Sequence, residues 1–413
     1  LNLSKQDSII PRGRIRNFRD FLKFPARLPE SRTHHRPFSH PDLANRLSVS
    51  DTILKKDVLL FTPYHSFNAI IDMLREAAMD VRVETIKITA YRLAQHSKIC
   101  NALINAARNG KKVHVILELR ARFDEEANLN WKQKLEEEGV RVYVGVPDLK
   151  VHAKMCIIKK RIGRNFVHYG FIGTGNLNES TALIYMDYFL LTSHVGIMKD
   201  VNRIFKALQQ PNKQWEQLNK CSTLLISPVS MRNELSKRID REIAYKQAGK
   251  HAGIKLELNS LSDEGLIKKL YAAAEHGVEV KLIIRSIMCA VPNQPPFKVP
   301  LRATSIVDEL LEHGRAYVFH HNGKEETYIA SADWMVRNLD YRVEVAVPLL
   351  NPRIKRQFLT ILNIKFSDNI KARILDNALS NEYVAKGKVP VRSQVAIHYY
   401  LHDLAQVKKK ESN

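Results

Sequence analysis

The sequence predicts an α/β protein built from two similar units, each with a mainly parallel sheet. Three observations predict it. Helix and strand patterns alternate from Val58 onward, a helix–strand module recurs, and a histidine follows each copy of that module.

Ser66 can cap a helix whose apolar face is Phe67, Ile70, Ile71 and Leu74, at helical spacing. Thr85 to Ala90 alternates as a strand with Ile86 and Ile88 on one side. The next helix carries Ile99, Leu103 and Ala106 and stops at Gly110. Val113 to Leu119 is an apolar strand of the buried type, a helix runs through Trp131 and Leu135 to Gly139, and Val140 to Val144 is the next strand. Leu103 to Gly110, leading into Val113, then has a counterpart in Leu270 to Gly277, leading into the strand Val278 to Ile284. Each unit is expected to continue with a helix and then a strand with a histidine near its start, His152 in the first and His313 in the second. The units join near Cys221 to Pro228. Ahead of them, Arg12, Arg14 and Arg16 precede Phe18, Phe21 and Phe24 as a short basic amphipathic helix, and Pro25 to Pro41 reads as a linker.

At 413 residues the chain exceeds one ordinary core, and 45% hydrophobic residues exclude a disordered composition. The net charge of +22 points to a polyanionic partner: nucleic acid, an acidic membrane face or a phosphate polymer. Charge alone does not choose among them. Cys100, Cys156, Cys221 and Cys289 show no CxxC spacing, so neither zinc nor a disulfide framework is indicated and a cytoplasmic compartment fits. No apolar run reaches the roughly 20 residues needed to span a bilayer. The polar start Leu1-Asn2-Leu3-Ser4 is not a signal peptide, and the lack of an initiator Met suggests a processed or truncated piece of something longer.

The sharpest motif is Lys150-Val151-His152-Ala153-Lys154, leading into the apolar run Met155 to Ile158. Strand residues two apart share a face, so His152 and Lys154 project together. A cation beside an imidazole favours its neutral, nucleophilic form, and the ammonium can hold a phosphate oxygen. Two surface residues on an edge strand would give the same pattern. Downstream, Gly173-Thr174-Gly175-Asn176 is a small-residue turn whose N–H groups and Asn176 side chain can face an anion. The second unit repeats the theme with His313-Gly314-Arg315 and then Ser331-Ala332-Asp333-Trp334. Taken singly, Arg92 and Arg122 read as structural ion pairs rather than site residues, Tyr185 reads as core, and Asp333 reads equally as a catalytic group or a helix cap.

Paired His-x-cation units of this kind resemble the phospholipase D superfamily, in which two such units meet and one histidine is phosphorylated. The superfamily's aspartate after the lysine is replaced here by Lys159, and the second unit has Arg315 for lysine. The wider sequence resembles the polyphosphate kinase family. The match runs through Ala90-Tyr91-Arg92, Glu118 to Asn128, Lys150 to Lys154, Gly173 to Asn176, Leu311-Glu312-His313 and Ser331 to Asp340, and covers about Pro11 to Leu401.

That resemblance implies a phosphotransferase that moves the ATP γ-phosphate reversibly onto inorganic polyphosphate through a phosphohistidine. It implies His152 as carrier, with Lys154 and His313 as further catalytic residues. Tyr185, Arg285 and His313 are implied at the ATP/ADP site, and Arg92, Arg122 and Asn176 at phosphate. Family descriptions tie Arg92 and Arg122 to Mg²⁺. A guanidinium has no lone pair to ligate a metal, so contact through shared phosphate oxygens is expected. The implied organisation is two phospholipase D-like catalytic domains at 51–222 and 223–405, a remnant of a head domain and linker at 1–50, and a basic tail at 406–413. The family's N-terminal domain supplies an asparagine to the adenine end of the ATP site, and no residue here takes its place, so weak ATP affinity is expected. A homo-oligomer (dimer or tetramer), at most peripheral membrane association, and no specific nucleic acid are also implied. The alternatives are a phospholipase D-like phosphodiesterase or nuclease, and a non-catalytic polyanion-binding protein.

Overall fold

The computed structural model describes residues 36–44, 48–119, 125–146, 149–210, 214–385 and 387–412. The basic helix expected at Arg12 to Phe24, most of the linker, and Arg122 lie outside the described residues.

The first half runs α1 (Val49–Lys55), β1 (Val58–Thr62), α2 (Asn68–Met79), β2 (Val83–Ala90), α3 (Lys98–Arg108), β3 (Lys112–Leu117), α4 (Glu125–Glu137), β4 (Arg141–Val144), β5 (Lys150–Val151), β6 (Lys154–Ile162), β7 (Asn165–Gly173), β8 (Tyr185–Thr192), α5 (Val195–Gln209) and α6 (Gln214–Leu218). The second runs β9 (Leu225–Ser227), α7 (Met231–Gln247), β10 (Gly253–Leu258), α8 (Glu264–Glu275), β11 (Glu279–Ile284), β12 (Arg302–Ile306), β13 (Leu311–Glu312), β14 (Ala316–Phe319), β15 (Glu326–Ala330), α9 (Val336–Asp340), β16 (Arg342–Pro348), α10 (Pro352–Phe366), β17 (Ala372–Ile374) and α11 (Ser393–Ser412). Among the described residues no helix is long and apolar enough to cross a membrane.

The repeated module is built by the same local devices in both halves. Ser97 caps α3 by accepting from the Cys100 N–H, and Asp263 caps α8 by accepting from the Leu266 N–H. Gly110 and Gly277 follow these helices at φ +77° and +82°, where a side chain would be strained. The strands of each module then lie parallel, β2 with β3 and β10 with β11. At α2 the cap position is Phe67, and Ser66 instead accepts one N–H, from Asn68 at 3.2 Å.

Two expectations are corrected. The α/β class stands, but the sheets are mixed rather than mainly parallel. The first has the order β1-β8-β7-β6-β2-β3-β4, with only β2-β3-β4 parallel along that path. The second has the order β17-β12-β11-β10-β14-β15-β16-β5, with β12-β11-β10 parallel and the strands of β14 to β16 antiparallel. Helical crossovers make β2-β3-β4 parallel, whereas the two-residue turn at Gly163 (φ +60°) folds β6 back on β7. The helix expected after Ile284 is also absent: β11 reaches β12 through an irregular segment with Pro292, Pro295, Pro296 and Pro300, which cannot supply helical N–H donors.

The halves exchange strands. β5, which leads to His152, pairs in parallel with β16 of the second half, and β13, which leads to His313, pairs in parallel with β8 of the first. A shared core of Met155, Met186, Leu190, Phe205, Val345 and Phe358 lies between the sheets. Within it sits a buried ionic knot. Lys365 Nζ donates to Glu257 (2.5 Å), Glu312 (2.7 Å) and the Tyr188 hydroxyl (3.0 Å), while Tyr188 donates to Glu257 (2.5 Å). Glu312 precedes His313, and the Tyr188 ring fills the space a side chain at Gly314 would need. Removing one member of a buried ion cluster strands the others, so Lys365→Met should cost about 3–5 kcal/mol in denaturant unfolding. A loss below about 1 kcal/mol would show that the knot is not held as described.

Candidate active site

β5 ends at Val151 and β6 begins at Lys154, so His152 and Ala153 occupy a break where the chain leaves one sheet for the other. Their N–H groups both donate to the Val343 carbonyl, at 3.1 and 3.0 Å. The break places the His152 ring edge-on to Tyr91 (centroids 4.8 Å apart), with Lys154 Nζ 5.2 Å from the centre of the same ring. His152 and Lys154 thus converge, as the motif predicts.

Nδ1–H of His152 donates to the Glu344 carboxylate at 2.9 Å. Glu344 is fixed in turn by the Ser331 hydroxyl and by Asn338 Nδ2 at 2.7 Å. This arrangement sets the tautomer and leaves Nε2 with its lone pair, and among the described residues nothing hydrogen-bonds to it. Burial pushes the His152 pKa well below 6.5, and Lys154, Arg342 and Arg315 push the same way. Burial also lowers the Lys154 pKa well below 10.5, with Glu344 opposing it. Among the described residues the fully buried Lys154 ammonium has no hydrogen-bond acceptor, and the Asn176 side-chain oxygen has no donor.

The second half mirrors this with one difference. His313 Nδ1–H donates to Asp187 at 2.9 Å, and Thr174 donates to the same carboxylate at 2.5 Å. Burial pushes Asp187 upward, but His313 and Thr174 hold it below the usual carboxylate range. Arg315 corresponds to Lys154 but is sealed in. It pairs with Asp333 at 3.2 Å, donates to the His313 carbonyl at 2.6 Å, and lies 3.3 Å from His313 Nε2. With Nδ1 protonated, His313 Nε2 is the acceptor of that last contact. Among the described residues one histidine therefore has an open Nε2 beside an unpartnered cation, and the other has its Nε2 held by a guanidinium.

The remaining residues singled out from the sequence gather around this pair. The Arg92 guanidinium lies 5.9 Å from the Tyr91 ring centre, and the Tyr185 ring centre is 5.0 Å from that of His313. Arg285 Nε donates to Asn259 at 2.8 Å, and burial followed by Arg315 lowers its pKa. Asp333 does not cap the following helix: it accepts from the N–H groups of Asn259 (2.7 Å) and Ser260 (3.1 Å) and pairs with Arg315. Sequence reasoning missed Asp187, Glu344 and Tyr91. For the two carboxylates the available signal was an acidic residue in the middle of an apolar strand, Met186-Asp187-Tyr188 and Val343-Glu344-Val345.

Two sheets that exchange strands and bring a carboxylate-oriented histidine from each half to one cationic site define the class of α/β protein. A phosphatidylserine synthase from Haemophilus influenzae Rd KW20 has this fold, at TM-score 0.52 and 12% identity over 86% of this chain and 94% of that one. The chain belongs to the polyphosphate kinase family: residues 48–214 match polyphosphate kinase C-terminal domain 1 and residues 224–394 match C-terminal domain 2. It is 45% identical to polyphosphate kinase of Escherichia coli K12, over 98% of this chain and 59% of that protein. The relative from Vibrio parahaemolyticus is 41% identical, over 100% and 59%. The crystal structure of polyphosphate kinase from Porphyromonas gingivalis superposes with TM-score 0.83 at 39% identity, covering 90% of this chain and 56% of that one. The chain thus spans 59% of the length of its curated relatives.

Because folding lowers the His152 pKa, the folded state binds fewer protons than the unfolded one below pH 6.5, and this group's contribution to stability falls as pH drops through that value. In an NMR titration of the folded chain the His152 ring should still be neutral at pH 6.5. A ring that is half-protonated at 6.5 or above contradicts the desolvated site. His152→Gln should also flatten the acid side of a melting-temperature profile.

Proposed function

We propose that the chain carries the phosphoryl-transfer centre of an ATP–polyphosphate phosphotransferase, with His152 as the carrier. One observation supports this above the rest: an imidazole with Nδ1–H held by Glu344, Nε2 open, and the buried Lys154 ammonium beside it without an acceptor. A phosphate oxygen is the partner such a cation lacks.

In the forward direction the Nε2 lone pair attacks the γ-phosphorus, the bond from that phosphorus to the β,γ-bridging oxygen breaks, and ADP leaves with the electron pair. The terminal oxygen of a polyphosphate chain then attacks the same phosphorus, the P–N bond breaks, and its electrons return to Nε2. Glu344 stabilises the imidazole as it gains positive character. Lys154, with Arg92 and Arg122 from the family match, neutralises the phosphate oxygens, and the Asn176 amide can donate to one of them, which is most of what phosphoryl transfer requires. Tyr185 and Arg285 bound the nucleotide side. Once incoming phosphate draws Arg315 off its Nε2, His313 can take up a proton there from solvent and pass it to the leaving oxygen.

Among the described residues no group of three or more His, Cys, Asp or Glu could hold a metal. The donors here are cationic and suit phosphate, so Mg²⁺ is proposed to arrive on the nucleotide, through phosphate oxygens, as part of the substrate. Assembly as a homo-oligomer and at most peripheral membrane association rest on the family resemblance, and a cytoplasmic setting on the cysteine pattern.

Incubation with γ-labelled ATP and Mg²⁺ should give acid-labile, base-stable label on the chain, and label on added polyphosphate. His152→Ala should abolish the protein label, and label persisting there sinks the carrier assignment. His313→Ala should slow transfer by about 10²–10⁴-fold. Cleavage of a phosphodiester without use of ATP would favour the phosphodiesterase reading instead.

A further inference from the structure

A row of basic residues crosses the first sheet away from the two histidines. Arg141 on β4, His114 on β3 and Lys87 on β2 are direct lateral partners. Lys159 on β6 stands opposite Thr85, two residues along β2 from Lys87, and His168 on β7 is the partner of Lys159. Lateral partners and residues two apart share a face, so five adjacent strands each present one basic residue to the same side. At a strand spacing of about 4.8 Å the row extends roughly 19 Å. Helix α5 borders it, and a groove of about 300 Å³ lies between, lined by Thr85, Lys87, Ile157, Lys159, His168 and Asn202. Lys159 is five residues beyond Lys154 along β6, roughly 16 Å at 3.3 Å per residue, so the row is distinct from the site at His152.

Among the described residues the row is short of counter-charge. Among the described residues Glu84 is the carboxylate that meets it, bonded to Lys159 at 3.0 Å and shared with Arg161 at 2.7 Å. Lys87 is half-buried and donates to the neutral Gln209 side chain at 3.2 Å. Burial and the surrounding cations depress Lys87 and hold the two histidines toward their neutral form, so the charge of the row is carried by Arg141, Lys87 and Lys159. Burial and then Lys206 lower Lys87, burial and then Lys87, Arg141 and Lys112 take His114 down to about 4, and burial followed by Lys159 and Lys87 lowers His168. Partly desolvated like charges held together are relieved by a bound anion, and a linear row favours a linear one.

We propose that this row is a second binding site for an inorganic polyphosphate chain, gripping the polymer at a distance from its reacting end. The choice of polymer rests on the function proposed above. The row carries charge on Arg141, Lys87 and Lys159, with His114 and His168 as hydrogen-bonding groups among them, and spans more than a single phosphate can use. A processive or long-chain preference then follows from two-point attachment, which raises effective affinity without any new contact at His152.

The test measures binding of long-chain sodium polyphosphate and of tripolyphosphate to the 413-residue chain and to its Lys87→Gln/Lys206→Gln variant. Long-polymer affinity should fall about tenfold, with a shallower salt dependence. Tripolyphosphate affinity and ATP labelling of His152 should stay unchanged, and Lys87→Arg/Lys206→Arg should bind as the unsubstituted chain does. Unchanged long-polymer affinity in the Gln variant overturns the proposal, as does equal competition by single-stranded DNA. If that variant melts early, Lys159→Gln repeats the measurement, since it leaves Glu84 paired with Arg161. Failure of the unsubstituted chain to label from ATP counts against the kinase reading, while the row is still judged on binding alone.

Discussion

The site depends on a reciprocal constraint: each histidine is oriented by a carboxylate that the other half of the chain provides. Glu344 of the second half holds His152, and Asp187 of the first holds His313, across 192 and 126 residues of sequence. A carboxylate hydrogen-bonded to Nδ1–H fixes tautomer and ring plane together, so neither half has a competent histidine by itself. The strand exchange of β5 onto β16 and β13 onto β8 is the backbone form of the same constraint. The knot of Lys365, Glu257, Glu312 and Tyr188 packs where those exchanges meet, tying the segment before His313 to the strand that carries Asp187. Its cost in desolvation is offset only while all its members are in place.

Near-symmetry of backbone supports an asymmetry of charge. Lys154 and Arg315 occupy matching positions, as do Asn176 and Asp333. Aspartate neutralises Arg315, while asparagine at the matching position leaves Lys154 without an ion pair among the described residues. One side of the site is thereby closed on itself and the other is short of a negative charge. That difference, and not the mere presence of two histidines, separates a proposed nucleophile from a proposed proton donor. The charge deficit also extends beyond the site, since five strands of the first sheet carry a basic residue on one face with Glu84 as the bonded carboxylate among the described residues. A net charge of +22 is thus partly organised in space rather than scattered over the surface.

Much of this was legible in the sequence because it is local. Caps, helix stops and alternation are set by neighbours within a few residues, so the modules ending at Gly110 and Gly277 could be aligned and His152 and His313 matched. Parallel and antiparallel pairing was misjudged because it depends on what the connection does. The tight turn at Gly163 reverses the chain, and prolines 292, 295, 296 and 300 remove a helix that the likeness to the first unit led one to expect. Arg122, prominent in the family match, lies outside the described residues.

By itself the sequence determined the α/β class, the duplication, the excess of positive charge and the paired His-x-cation motifs, because each is written in composition or short-range spacing. Only the tertiary structure decided which carboxylate orients which histidine, which cation keeps a partner, and which lysines line up across strands. Those outcomes join residues far apart in the chain through burial and lateral strand register, and no local pattern encodes either.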